Sequence, residues 1–242
     1  MFKKHIPNTL TCCNLVSGCI AASMAFAGNP RLALLWIVIG AAFDFFDGMS
    51  ARLLHVSSPI GKELDSLADV VTFGVAPSAI IFSKLYVMDA PAAIANLSVF
   101  GTSMRQIVPY FAFVMAAFSA LRLAKFNLDE RQTSSFIGLP TPANALFWGA
   151  LIVGLSPYLE TNSFAYGVLL FMIFVSCWLL VAEIPMFALK FKHWEWKGNE
   201  VKYIFLISCV PLLLFFGIAG LAIIIAWYVV LSIISQRLAK QN

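Results

Sequence analysis

Eight apolar runs, each long enough to cross a lipid bilayer, occupy most of this 242-residue chain, at about 10–27, 32–52, 66–88, 105–122, 142–158, 163–189, 202–217 and 219–236. A membrane-spanning helix needs about 20 mostly apolar residues, and helices span membranes because they satisfy their own backbone hydrogen bonds where no water reaches. The runs therefore predict an all-α, polytopic membrane helix bundle of about eight transmembrane helices. Composition agrees: 61% of residues are hydrophobic and 12% charged, with a mean hydropathy of +0.87, where soluble chains carry about 25% charged residues. The last two runs are separated only by Gly217-Ile-Ala-Gly220, the composition of a tight hairpin. No linker or low-complexity segment divides the chain, so residues 1–242 are expected to form a single integral membrane domain.

Lys and Arg concentrate in cytoplasmic loops. With the N-terminus inside, 13 of the 16 basic residues fall on the cytoplasmic side, and only Arg31, Lys84 and Arg105 fall outside. That bias predicts an even number of spans with both termini cytoplasmic, and it turns the net charge of +4 toward an anionic leaflet. No basic run with interleaved aromatics suggests a nucleic-acid partner. The first 28 residues imitate a cleavable signal peptide, but removing that span would leave an odd number and reverse the charge bias, so it is expected to stay. Cys12, Cys13, Cys19, Cys177 and Cys209 lie inside apolar runs without a CxxC pair, and His5, His55 and His193 lack a second ligand at helical spacing. Zinc is not expected.

Against this background four aspartates stand out. Asp44 and Asp47 lie near the cytoplasmic end of the second run, and with Gly48, Ala51 and Arg52 they share one helical face. Gly61, Asp65 and Asp69, at intervals of four, line a face of the third. A carboxylate in a membrane helix costs about 2.5–3.5 kcal/mol at the centre and less near the end, and four that converge also repel. Something cationic must sit among them: Arg52 offers one charge, and an all-oxygen donor set without His or Cys suits Mg2+, Mn2+ or Ca2+. Four carboxylates suffice for two ions clamping a phosphoryl group, with the small residues Gly48, Ala51 and Gly61 leaving room for a phosphate or nucleotide. Helix capping is the bland alternative for any one of these acids.

The pattern Asp44-x2-Asp47-Gly48-x2-Ala51-Arg52-x8-Gly61-x3-Asp65-x3-Asp69 resembles, at all eight positions, the signature of the CDP-alcohol phosphatidyltransferase family. The resemblance implies metal-dependent transfer of a phosphatidyl group from CDP-diacylglycerol to an alcohol, releasing CMP. It implies Asp44, Asp47, Asp65 and Asp69 as ligands of Mg2+ or Mn2+, two ions in number, with Asp69 also the base. By the same resemblance Gly48, Ala51, Arg52 and Gly61, with Ser58, hold the CDP part of CDP-diacylglycerol. Ile6-Pro7-Asn8-Thr9-Leu10-Thr11 resembles the Pro-Asn opening common in the family, which adds Asn8 and Thr11 to that set. A homodimer in the inner membrane of a prokaryotic-type cell, its active site facing the cytoplasm, is also what the family implies.

The alcohol must be chosen elsewhere. Arg122, Lys125, Asn127 and Arg131 gather after the fourth run, before Gly138-Leu-Pro-Thr-Pro142 opens the fifth. An arginine there can grip a carboxylate through two hydrogen bonds. This stretch resembles the membrane-type phosphatidylserine synthases, with Lys125-Phe126-Asn127 where these usually show Arg-Phe-Asn, and the resemblance implies L-serine as acceptor. Glu183, inside the sixth run near its cytoplasmic end, could meet an ammonium group or pair with Arg122. Glycerol 3-phosphate or inositol phosphate acceptors remain open, as does a divalent-cation transporter, for which intramembrane carboxylates are also expected.

Overall fold

A computed structural model describes residues 5–56, 58–129, 136–160, 162–187, 194–196 and 199–239. In chain order it consists of α1 (His5–Phe26), α2 (Pro30–Leu53), α3 (Pro59–Asp69), a π-helical segment (Val70–Val75) and α4 (Ala76–Val87). There follow α5 (Ala92–Ala95), the hairpin β1 (Ser98–Val99) and β2 (Thr102–Ser103), α6 (Met104–Ile107), a 3-10 segment (Val108–Phe113) and α7 (Val114–Leu128). The chain closes with β3 (Phe136–Ile137), α8 (Thr141–Leu159), α9 (Ser163–Val181), β4 (Pro185–Met186), α10 (Glu200–Phe216) and α11 (Ile218–Ala239).

All eight apolar runs are helical, with shifted ends. Seven helices of 19 or more residues are long and apolar enough to span a membrane: His5–Phe26, Pro30–Leu53, Pro59–Val87, Met104–Leu128, Thr141–Leu159, Ser163–Val181 and Ile218–Gln236. The remaining run, α10, has 17 residues, the lower end of the spanning range of about 17–25. The third helix starts at Pro59, ahead of the expected 66, because Ser58 caps it by accepting from the Gly61 amide at 3.0 Å and Pro59 pre-sets its first turn. The fourth runs past 122 to Leu128. The sixth stops at Val181, short of the expected 189. Pro185 biases the residue before it toward extended backbone, and β4 pairs antiparallel with β3, Ile137 opposite Pro185.

Within the bundle α1 lies along α2 and also packs on α3 and the π segment, which in turn packs on α7 and α8. Close approach depends on two glycines. A Cβ at Gly18 would lie 2.4 Å from Thr72 Oγ1 and 2.7 Å from its Cα, and one at Gly40 would lie 2.6 Å from Thr72 Cγ2. Thr72, on the π segment, is thus wedged against α1 and α2, its hydroxyl donating to Asn14 O at 3.0 Å. Further in, Phe73, Ile37, Trp148 and Tyr166 are fully buried, while Phe171, Leu214 and Phe215 are exposed, as expected of side chains that meet lipid.

Candidate active site

The ends of α1, α2, α3 and α7 meet on one side of the bundle. There α2 presents Asp44 and Asp47, and α3 presents Asp65 and Asp69. Ligand oxygens of Asp44, Asp47 and Asp65 lie within 4.8 Å of one another. Asp69, one turn deeper on α3, stands within electrostatic reach of the other three. The acids are held from α1: Thr11 Oγ1 donates to Asp47 Oδ2 at 2.6 Å, and Asn14 Nδ2 donates to Asp69 Oδ1 at 3.1 Å. Asp47 and Asp69 are buried at 6% and 8% exposure, so bulk water screens neither one well, and carboxylates buried this close together stay ionised only beside a cation and otherwise hold a proton.

The donor set fits one. Oxygens on opposite sides of a Mg2+, Mn2+ or Ca2+ ion at about 2.1–2.4 Å lie about 4.2–4.8 Å apart, the span that the three carboxylates occupy. All donors are oxygen, as hard cations prefer.

Beside the acids opens a cleft of about 220 Å3 lined by Pro7, Asn8, Thr11, Asp47, Gly48, Ala51, Val56, Ser58, Gly61, Lys62 and Asp65. Six of the residues expected at the CDP part, Asn8, Thr11, Gly48, Ala51, Ser58 and Gly61, are therefore brought together. Gly48 is open: a Cβ there would meet no atom within 4 Å, so its missing side chain is cleft volume. Gly61 is tight, its Cβ position 3.0 Å from Ser58 Oγ and 3.2 Å from Asn8 Oδ1. The seventh expected residue, Arg52, is not in the lining. Its side chain is exposed and folds back along its own helix, with Nε donating to Gly48 O at 3.0 Å. The charge that Arg52 was expected to bring among the aspartates is offered by Arg122 instead. It is 7% exposed on α7, within electrostatic reach of Asp69, with its guanidinium 5.3 Å from the Phe126 ring centroid.

The other expected acceptor residues divide. Lys125 is exposed. Asn127 ties α7 to α3, donating to Ser66 Oγ at 2.7 Å and accepting from Lys62 Nζ at 2.9 Å through its carbonyl. Glu183 is not inside a span: it is exposed in the extended segment after α9, where β-pairing has ended the helix. Arg131 lies outside the described residues.

Two residues escaped the sequence reading. Asn14 is fully buried against Asp69. Its signal was present, since Asn8, Thr11 and Asn14 recur every three residues and form a polar stripe on an otherwise apolar helix. Lys62 lines the cleft, although its sequence context is that of any interfacial anchor.

Residues 4–182 match the CDP-alcohol phosphatidyltransferase family. The chain belongs to that family. It is similar to a protein of Bacillus subtilis (strain 168) named CDP-diacylglycerol--serine O-phosphatidyltransferase, 35% identical over 199 residues that cover 81% of this chain and 94% of that one. Proteins of the same name from Helicobacter pylori (strain J99) and Saccharomyces cerevisiae are 34% and 35% identical over 58% and 63% of this chain, which spans about half of their lengths, 54% and 53%.

Proposed function

We propose that this protein transfers the phosphatidyl group of CDP-diacylglycerol to the hydroxyl of L-serine, giving phosphatidylserine and CMP. The observation that carries this reading is the convergence of Asp44, Asp47 and Asp65, with Asp69 beside them, at the edge of a cleft lined by five of the eight signature residues, Asp47, Gly48, Ala51, Gly61 and Asp65. Similarity to enzymes named for the serine reaction supports the acceptor.

Asp44, Asp47 and Asp65, with Asp69 at the inner edge, would hold Mg2+ or Mn2+, one ion or two. Bound there, the metal supplies electrostatic stabilisation of the charge that develops on the pyrophosphate. The chain's own groups do the rest. Asn14 fixes Asp69 by its Oδ1, so Oδ2 is the atom that takes the proton from the serine hydroxyl. The freed oxygen bonds to the β-phosphorus, the one that bears diacylglycerol. The bond from that phosphorus to the bridging oxygen breaks, and CMP leaves with the electron pair. Gly48 and Gly61 let the nucleotide approach backbone, while Lys62 in the cleft wall and Arg52 at its rim offer positive charge to the departing CMP. Arg122 receives the serine carboxylate. Lys125, Asn127 and Glu183 act further out, in guiding the acceptor or bracing the site. The diacyl chains remain in the bilayer, with the chemistry at the cytoplasmic face of the inner membrane, both termini on that side, and residues 1–242 working as one catalytic domain in a homodimer.

The test is CMP release by purified protein given CDP-diacylglycerol and, in turn, L-serine, glycerol 3-phosphate or an inositol phosphate, with and without chelator. Release with serine alone, lost to chelator and restored by Mg2+ or Mn2+, is expected. Release only with a phosphorylated acceptor would overturn serine. Cation uptake into sealed vesicles without any CMP would favour a transporter.

A further inference from the structure

Seven buried side-chain polar atoms lack a hydrogen-bond partner among the described residues, and five of them belong to Ser119, Arg122, Thr141 and Asn144. They are Ser119 Oγ, Arg122 Nε, Thr141 Oγ1 and both polar atoms of the Asn144 amide, and Ser119, Thr141 and Asn144 have no exposure at all. Buried polar groups are normally paired, because each one gives up its bonds to water. One turn beyond Asn144 on the same helix face such a group is paired: Trp148 Nε1 donates to Ser176 Oγ at 2.9 Å.

The four residues lie on two helices that touch each other and share a neighbour. Ser119 and Arg122 are one turn apart on α7, and Thr141 and Asn144 one turn apart on α8. Both helices pack on the π segment that directly follows Asp69. Ser119 Cβ lies 3.2 Å from where a Gly74 Cβ would be, and Arg122 is within electrostatic reach of Asp69. The first turn of α8 is held in place by the clasp to α9: Gly138, at φ +75°, donates to Ile184 O and Leu139 to Leu179 O, each at 2.9 Å.

We infer that these residues line the acceptor's chamber and that Asn144 determines acceptor selectivity, its Oδ1 accepting from an ammonium group while Arg122 grips a carboxylate. The inference rests on the serine reading above. An amino-acid zwitterion would satisfy these five of the seven atoms: the carboxylate accepts from Arg122, Thr141 and the Asn144 Nδ2–H, and the ammonium donates to Asn144 Oδ1 and Ser119 Oγ. Its hydroxyl is then left for Asp69.

The experiment measures CMP release by the full-length protein and the variants Asn144→Leu and Arg122→Leu. The acceptors are L-serine, ethanolamine, which has no carboxylate, and 3-hydroxypropionate, which has no ammonium. Loss of a hydrogen bond to a charged group predicts that Asn144→Leu raises KM for serine about 10-fold or more, with KM for CDP-diacylglycerol and Tm unchanged. It also abolishes the preference for serine over 3-hydroxypropionate, as Arg122→Leu abolishes the preference over ethanolamine. An Asn144→Leu enzyme with wild-type KM and preference overturns the inference. Should that variant fold poorly, Asn144→Asp keeps the shape and must favour the ammonium-bearing acceptors more strongly than wild type; an unchanged preference again overturns it. If the wild-type protein proves to use some other alcohol, the serine reading fails by itself, and the chamber is judged by whether Asn144→Leu shifts that alcohol's KM.

Discussion

Asn14 of the first helix donates to Oδ1 of Asp69 on the third at 3.1 Å, so the innermost acid is oriented by a residue 55 positions away in sequence. An amide that aims a carboxylate without supplying charge should affect the rate more than binding. Asn14→Leu is expected to lower kcat about 10- to 100-fold, the usual cost of losing an outer partner, with KM for CDP-diacylglycerol little changed. Asp69→Asn should fold and bind nucleotide yet release no CMP. In the same CMP assay, near-normal turnover by Asp69→Asn would remove Asp69 from the role of base, and an unchanged kcat in Asn14→Leu would show the aiming bond to be dispensable.

Thr11 donates to Asp47 Oδ2 at 2.6 Å, which fixes the rotamer of one expected ligand. Thr11→Val keeps the volume and deletes the bond. The concentration of Mg2+ or Mn2+ giving half-maximal activity should rise about 10- to 100-fold. Unaltered metal dependence would mean that Asp47 needs no such support, or holds no ion.

Two glycines should fail in opposite ways. A methyl group at Gly18 meets Thr72 at 2.4 Å, so Gly18→Ala should lower stability by about 1–3 kcal/mol through overpacking, visible as a fall in Tm. Gly48 faces the open cleft, with nothing within 4 Å of a Cβ. Gly48→Leu should therefore leave Tm alone and raise KM for CDP-diacylglycerol; equal loss of Tm in both variants would contradict the cleft.

At the opposite end of the bundle, Lys84 Nζ donates to Glu160 Oε1 at 2.7 Å and to Ser156 Oγ at 3.0 Å. The hydrogen bond from Lys84, and then its charge, hold the Glu160 carboxyl below its ordinary value of 4.5. A carboxyl lowered on folding contributes stability above its unfolded pKa and loses it as pH falls through the folded one. Tm should therefore drop on acidification below about pH 4.5, and Glu160→Gln should flatten that part of the curve. The same acid slope in both proteins would show that the pair contributes nothing.

The sequence made the bundle and the aspartates legible for one reason: in a greasy chain every charge costs free energy, so its position carries information. Helix ends were less readable. Glu183 was expected inside a span because apolar residues continue to Leu189, but a two-residue strand pair stops the helix first. Arg52 and Arg122 show a second limit. Helical spacing places both near the site, yet only packing decides that Arg52 folds back on Gly48 O and Arg122 turns inward toward Asp69. Asn144 was legible in type but not in burial, since a polar residue in the first turn of a helix usually faces water.

Directly after Asp69 the helix widens for one turn: Ala76 N–H bonds to Val71 O, five residues back. Each extra residue in such a turn rotates everything downstream by about 100° relative to an α-helix. One continuous rod thus carries two faces set at independent angles, an upstream face that aims Asp65 and Asp69 at α2 and a downstream face that buries Ile80, Ile81 and Leu85 in the bundle. The wide turn is a phase adapter, and it frees the acidic end of the helix from the angular demands of the hydrophobic end.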